Sequence, residues 1–214
     1  MTSYNQISGQ RLTRVEALSD GVFAIAMTIL VLDLVDQNAT KNISEKELLT
    51  ALTTLLPKFL SFFLSFLTLG IFWIGQMTQF DFINKYNRKL TWFTVMFLMF
   101  VSILPFTTTI LSNHFNNKVS ILLYWINILL IGIISWLHWE VAAKQSFLNI
   151  AGQEKKNIIK LFRNRVLTAQ ILYAFGAALC FINTKLSIIF IIGLQINIAF
   201  SIFTIKKRPP KNKY

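Results

Sequence analysis

Cysteine, proline and charge are all scarce in this 214-residue chain. The single cysteine, Cys180, cannot form an intrachain disulfide, and alone inside an apolar run it offers no redox or metal centre. Charged residues make up 14% of the sequence, against about 25% in an ordinary soluble domain. The two histidines, His114 and His138, lie too far apart in sequence to show a metal-ligand spacing. A Gly-Lys-Ser/Thr phosphate loop is missing, as are a Thr-Val-Gly-Tyr-Gly carbonyl filter and any helix with regularly spaced arginines. No cofactor and no bound metal are expected, and the chain does not read as an enzyme.

What is present is apolar. Hydrophobic residues account for 54% of the chain, with 20 phenylalanines, and the mean hydropathy is +0.56. A soluble fold of this size cannot hide so much apolar surface, so the composition indicates an integral membrane protein set in a lipid bilayer. The net charge of +12 does not indicate nucleic-acid binding, because the basic residues fall in short gaps between long apolar runs. That distribution carries topology information.

Six runs reach the roughly 20 residues a helix needs to cross a bilayer: 15–35, 49–76, 90–111, 120–139, 166–183 and 186–205. None alternates as barrel strands do, so the expected class is all-α. Of 20 lysines and arginines outside the spans, 16 fall on one side, which places both termini in the cytoplasm. This gives a multi-pass, six-span transmembrane domain over 1–208 and a basic cytoplasmic tail over 209–214. Trp73, Trp92, Trp136 and Trp139 fall near the expected cytoplasmic ends, where amphipathic rings prefer to sit. The segment 142–164 is polar and basic and reads as a surface helix or loop. The five basic residues of the tail fix topology and are also placed to touch anionic lipid. The first run is longer than a signal-peptide core and lacks a small-residue cleavage site, so it is expected to be retained.

The first span is unlike the others. It holds Asp20 about a turn and a half inside the helix, where insertion scales assign an acidic residue a cost of about 2.5–3.5 kcal/mol. At helical spacing Leu18, Gly21, Ile25, Thr28 and Leu32 share one face, extended by Asp36 towards the outer end. A stripe of small residues, Ala17, Gly21, Ala24 and Thr28, overlaps its edge and lets two helices approach closely. Copies of this helix packed around an axis would stack aliphatic rings at Ile25 and Leu32 about a hydroxyl ring at Thr28, with Asp36 gathering cations at the mouth. Hydrophobic constrictions of this kind gate by dewetting. An apolar helix face equally suits lipid, and geometry alone leaves both readings open. Asp20 lies off the Ile25 face and should point into neighbouring helices, with Arg14 as its expected partner from the same or another subunit.

The stretch Arg14-x-x-x-Leu18-Ser19-Asp20, followed by Gly21-Val-Phe-Ala-Ile-Ala-Met-Thr28, resembles the signature of the transmembrane protein 175 family of potassium channels. Phe72-Trp73 and Leu104-Pro105-Phe106 support the likeness. The resemblance implies a bacterial or archaeal homotetramer in the cell (inner) membrane, conducting potassium ions through a central pore lined by four first helices. It also implies that Ile25 is the main constriction, that Thr28 and Leu32 follow along the pore, and that Arg14, Ser19 and Asp20 join a polar network with Trp73. Leu18 replaces the motif phenylalanine, and Gln76 stands where the family often has a histidine.

The reading is therefore a passive potassium channel without a carbonyl cage. A small secondary transporter and a non-conducting membrane scaffold are the alternatives. Asn127, Gln170, Gln195 and Asn197, inside spans, suit interhelical hydrogen bonds. Pro57 and Pro105 are expected to kink their helices, with Thr107, Thr108 and Thr109 satisfying the backbone that Pro105 frees.

Overall fold

The computed structural model describes residues 11–34, 44–150 and 152–203, so the expectations for Asp36 and for the tail lie outside the described residues. The described chain is helical. Helix α1 spans Leu12–Ile29 and tightens into a 3₁₀ turn over Leu30–Leu34; α2 is Glu45–Thr54, α3 Leu56–Phe80, α4 Arg88–Asn113, α5 Lys118–Lys144, α6 Gly152–Ala178 and α7 Thr184–Phe203. Extended pairing among the described residues is confined to one isolated bridge, Ile83 with Leu148. Helices α1 (with its 3₁₀ turn), α3, α4 and α5 are each long and apolar enough to cross a membrane, while α7 has a shorter apolar run, Thr184–Phe200.

Local chemistry sets the boundaries. Ser44 and Glu47 form a capping box: the Ser44 backbone N–H donates to Glu47 Oε2 at 2.8 Å, and Glu47 N–H donates to Ser44 Oγ. The Ser44 backbone N–H and then its hydroxyl, both donating to Oε2, hold the Glu47 carboxyl below its ordinary pKa. Asn87 caps α4 by accepting from Leu90 N at 3.0 Å, and Asn117 caps α5 by accepting from Val119 N at 2.9 Å.

Four sequence expectations change here. The run 49–76 is divided between α2 and α3 at Leu55, and Pro57 is the second residue of α3, where it starts a helix instead of kinking one. The segment 142–164, by contrast, is the surface helix and loop expected: the end of α5, a loop, and the exposed first half of α6, which continues unbroken into the apolar run beyond it. Trp139 is 1% exposed and stacks on Phe162 with centroids 4.3 Å apart, so it is a core ring and not an interfacial one. Thr107 and Thr108 donate to the Leu104 carbonyl and Thr109 to the Pro105 carbonyl. The carbonyl freed by Pro105 belongs to Val101, one turn earlier, and is not the one these hydroxyls serve.

Two clusters hold the bundle together. The larger runs along the helices and includes Phe23, Leu64, Leu69, Phe97, Val101, Tyr124, Ile128 and Ile188. Through it threads a buried hydroxyl chain: Gln195 Nε2 donates to Thr68 Oγ1, Thr68 meets Tyr124 Oη at 2.9 Å, and Thr108 Oγ1 lies 2.7 Å from Ser65 Oγ, itself bonded to Tyr124. These four helices thus satisfy one another's polar atoms where no water can. Helices α5 and α6 approach closely at Gly132, where an added Cβ would meet Gln170 Nε2 at 1.7 Å.

The smaller cluster closes the bundle end where α1 begins, and joins Val15 to Phe82, Ile83, Tyr86, Trp139 and Leu148. There the α3–α4 and α5–α6 loops pair: Asn84 N–H donates to Phe147 O at 2.9 Å and Asn149 N–H to Phe82 O at 2.8 Å. Beneath them, Gln79 Nε2 faces the Ser135 carbonyl, which only accepts, so its Oε1 accepts from His138 Nδ1 at 2.9 Å. His138 Nε2 is then the acceptor for Tyr86 Oη, also at 2.9 Å.

Candidate functional site

The site is built on α1, whose rotation is fixed by one buried stripe. Val15, Ser19, Phe23, Ala26 and Leu30 recur at helical spacing and are all buried. Phe23 lies 6.0 Å from Phe97 between ring centroids, and Phe72 lies 6.3 Å from Phe97 on the other side. With that stripe locked against α3 and α4, the opposite face has to point out of the helix bundle. Leu18 is 50% exposed, Ile25 61% and Leu32 63%.

The small-residue stripe lies on the same open side. Ala17, Gly21, Ala24 and Thr28 are all exposed, and a Cβ built on Gly21 meets nothing within 4 Å. Thr28 donates its single hydroxyl proton back to its own helix, 3.0 Å from the Ala24 carbonyl and 2.8 Å from that of Ile25. With the proton turned inward, oxygen lone pairs remain for whatever faces the helix. A 3₁₀ turn follows, and Asp33 at its end accepts a short hydrogen bond from Ser112 of α4.

The expected polar network divides. Trp73 Nε1 donates to Asp20 Oδ1 at 2.9 Å, so these two are joined across α1 and α3. Arg14 is exposed and, among the described residues, is not the partner of Asp20 within the subunit. Ser19 is 1% exposed and donates to the Val15 carbonyl at 2.9 Å, which serves helix α1 itself. Gln76 is 5% exposed, one turn beyond Trp73, and its Oε1 has no described partner.

Two polar contacts escaped sequence reasoning. The Asp33–Ser112 bond joins residues with no fixed spacing, and only the presence of a carboxylate at a span end hints at it. The Gln79–His138–Tyr86 chain was signalled by His138 itself, since an imidazole in an apolar run demands partners. No group of three or more metal-ligating side chains occurs among the described residues.

Residues 14–105 match the family model described as "Endosomal/lysosomal potassium channel TMEM175". The matched stretch runs from Arg14 to Pro105 and so contains α1, the Asp20–Trp73 pair and most of α4. A potassium channel of Chamaesiphon minutus is 30% identical over 179 residues, which are 82% of this chain and 87% of that protein. A potassium channel of Streptomyces collinus is 36% identical over 101 residues, 47% of this chain and 48% of that one. The human endosomal/lysosomal proton channel TMEM175 is 38% identical over 97 residues, 43% of this chain and 19% of that one. The crystal structure of a lysosomal potassium-selective channel TMEM175 homologue from Chamaesiphon minutus superposes with a TM-score of 0.71 at 29% identity, covering 89% of this chain and 97% of that one.

Proposed function

The chain belongs to the TMEM175 family of membrane channels, and from that premise we propose that it is a potassium-selective channel that conducts passively. Four copies of α1 surround a central pore in a homotetramer, in the inner membrane of a prokaryote. Six helical segments of each subunit cross the bilayer, and both termini are cytoplasmic. The observation that carries this reading is the open face of α1. A buried stripe pins the helix, and an aliphatic and hydroxyl face with small residues at its edge is left for other copies.

Ile25 forms the narrowest ring, where four aliphatic side chains expel water and oppose ion passage. Leu32 forms a second ring further out. Thr28 lies between them, and its outward lone pairs contact a partly dehydrated cation. Asp36 gathers cations at the outer mouth. The Asp20–Trp73 pair holds α1 against α3, so the ring geometry is set by packing behind the pore. Ser19 and Gln76 lie buried in the same cytoplasmic half, and Arg14, exposed on α1, is left for a neighbouring copy.

Reconstitution into liposomes with an outward potassium gradient tests the reading. Fast flux that does not saturate, and that slows when sodium replaces potassium, is expected. Slow, saturable, coupled flux supports a secondary transporter, and absence of flux supports a scaffold. The vertebrate relatives are named proton channels, so a pH-sensitive dye in the same liposomes separates proton current from potassium current.

A further inference from the structure

Helix α6 carries a strip of residues that the channel reading leaves without a task. One side of its first half is docked. Phe162 stacks on Trp139 with ring planes 25° apart, and Ile158 and Ile159 pack into the same cluster beneath the paired loops. That docking sets the rotation of the helix and turns Lys156, Lys160 and Arg163 outward, spaced i, i+4, i+7 and all exposed. Their Cβ atoms stand about 5–6 Å apart from one to the next. Among the described residues no carboxylate forms an ion pair with any of the three.

The same face continues along the helix as apolar surface. Leu167 is 45% exposed and Ile171 68%, one and two turns beyond Arg163. A single strip thus changes from basic to aliphatic over roughly 6 Å of helix rise. The change falls at the bundle end where Trp92, the fifth residue of α4, is 57% exposed, and amphipathic rings of this kind mark a membrane interface.

We propose that this strip is a docking site for an anionic glycerophospholipid. Lys156, Lys160 and Arg163 hold the headgroup phosphate, the lysines as point charges and the arginine through its planar fork. Leu167 and Ile171 line one acyl chain. A free phosphate in solution would use the cations but gain nothing from the aliphatic continuation, and that continuation selects the lipid. The proposal rests on the reading that the second half of α6 lies in the bilayer.

The test uses the full-length protein in detergent with equimolar phosphatidylglycerol and phosphatidylcholine, and native mass spectrometry counts lipids retained per subunit. Wild type should retain phosphatidylglycerol over phosphatidylcholine by about fivefold or more, from the summed attraction of three cations. The variant Lys156→Gln/Lys160→Gln/Arg163→Gln should show a ratio near one, with unchanged circular dichroism and gel-filtration profile. Lys160→Gln and Arg163→Gln singly should fall between the two, and they carry the test if the triple variant does not fold. A ratio equal to wild type in these variants overturns the proposal. So does loss of the preference only when Lys206, Lys207, Arg208, Lys211 and Lys213 are replaced by Gln, since that assigns the lipid to the tail. Excess inorganic phosphate at constant ionic strength should not release the lipid, and release would assign a free-phosphate site instead. Retention is read without ion flux, so a protein that keeps the lipid but passes no potassium counts against the channel reading alone.

Discussion

The indole Nε1–H of Trp73 donates to the Asp20 carboxylate across 2.9 Å, and this bond ties helix α1 to α3. It fits the position of Asp20 beside the open face. A carboxylate inside an apolar segment needs a donor, and an indole supplies one without adding a charge. The aromatic ring meanwhile stays in the apolar cluster that also holds Phe23 and Phe72.

Removing the donor should therefore hurt more than neutralising the acceptor. Trp73→Phe leaves the Asp20 carboxyl without its donor and should cost about 0.5–1.5 kcal/mol of stability, as for a typical intramolecular hydrogen bond. Asp20→Asn keeps an acceptor oxygen and should cost less. Unfolding of Trp73→Phe, Asp20→Asn and the double variant in detergent closes a cycle. Additive costs would mean that the bond contributes nothing to stability.

Gly21 offers a cleaner probe of assembly than any residue of the buried stripe. An added Cβ there meets nothing within 4 Å, and Gly21 is exposed, so Gly21→Leu should leave the fold of the single chain intact. In the proposed tetramer it lies on the small-residue stripe, where close helix approach leaves no room for Leu. The expected result is unchanged helicity with loss of the tetramer in cross-linking and light scattering. An intact tetramer would move the subunit contact away from this stripe. Gly132→Ala makes the opposite case: its Cβ meets the amide end of the flexible Gln170 side chain inside the bundle, which must move aside, so a loss of stability of about 1 kcal/mol with unchanged assembly is expected.

Much of α1 was legible in the sequence because a helix with one buried and one open stripe writes a 3.6-residue period into its residue types. Phe23 and Leu30 fall on one side, Ile25 and Leu32 on the other. The Asp20–Trp73 pair was not legible from spacing, since the residues lie 53 positions apart; only the family motif pointed to it. The break at Leu55 was hidden because no glycine marks it and the leucines on both sides read as one run. Helix α6 is legible at its start as a surface helix, but its continuity with the apolar run beyond is not, because charge dominates the count. Its apolar docking face, Ile158, Ile159 and Phe162, is only three residues wide, and the partner ring, Trp139, had been assigned to the interface.

Tyr86 predicts a dependence on alkaline pH. It sits in the α3–α4 loop, and burial, reinforced by the nearby Glu16 carboxylate, pushes its pKa far above the usual tyrosine value. The folded state therefore keeps the proton while the unfolded chain loses it near pH ~10. Above that pH the unfolded state binds fewer protons, so stability falls as pH rises, by up to about 1.4 kcal/mol per pH unit for one group. Below it, Tyr86 contributes no pH dependence. Tyr86→Phe forfeits the bond to His138 Nε2 and is less stable at neutral pH, yet its stability should decline less steeply above pH ~10. Denaturant titrations in detergent across that range measure both slopes, and equal slopes would exclude Tyr86 as a source.

The pore itself is tested at Ile25 and Thr28. Both are exposed on the subunit, and exposure alone does not distinguish a pore from lipid. Substitution does. At a dewetting constriction, Ile25→Asn offers hydrogen bonds to water and should raise basal potassium flux severalfold. Facing lipid, the same change would disturb insertion and leave conduction as it was. Thr28→Val removes the oxygen lone pairs and keeps the shape, so it should alter the potassium-to-sodium ratio more than the total flux. Cysteine scanning gives an independent answer, made in a Cys180→Ser background although Cys180 is itself buried. A charged, water-soluble thiol reagent should block Ile25→Cys channels and spare Ile189→Cys, a position on α7 that is 67% exposed. Both side chains are open on the subunit, but a thiolate forms only where water reaches it. Block at Ile25 alone therefore places water, and the ion path, on this face of α1; equal sensitivity of the two variants would place the pore elsewhere.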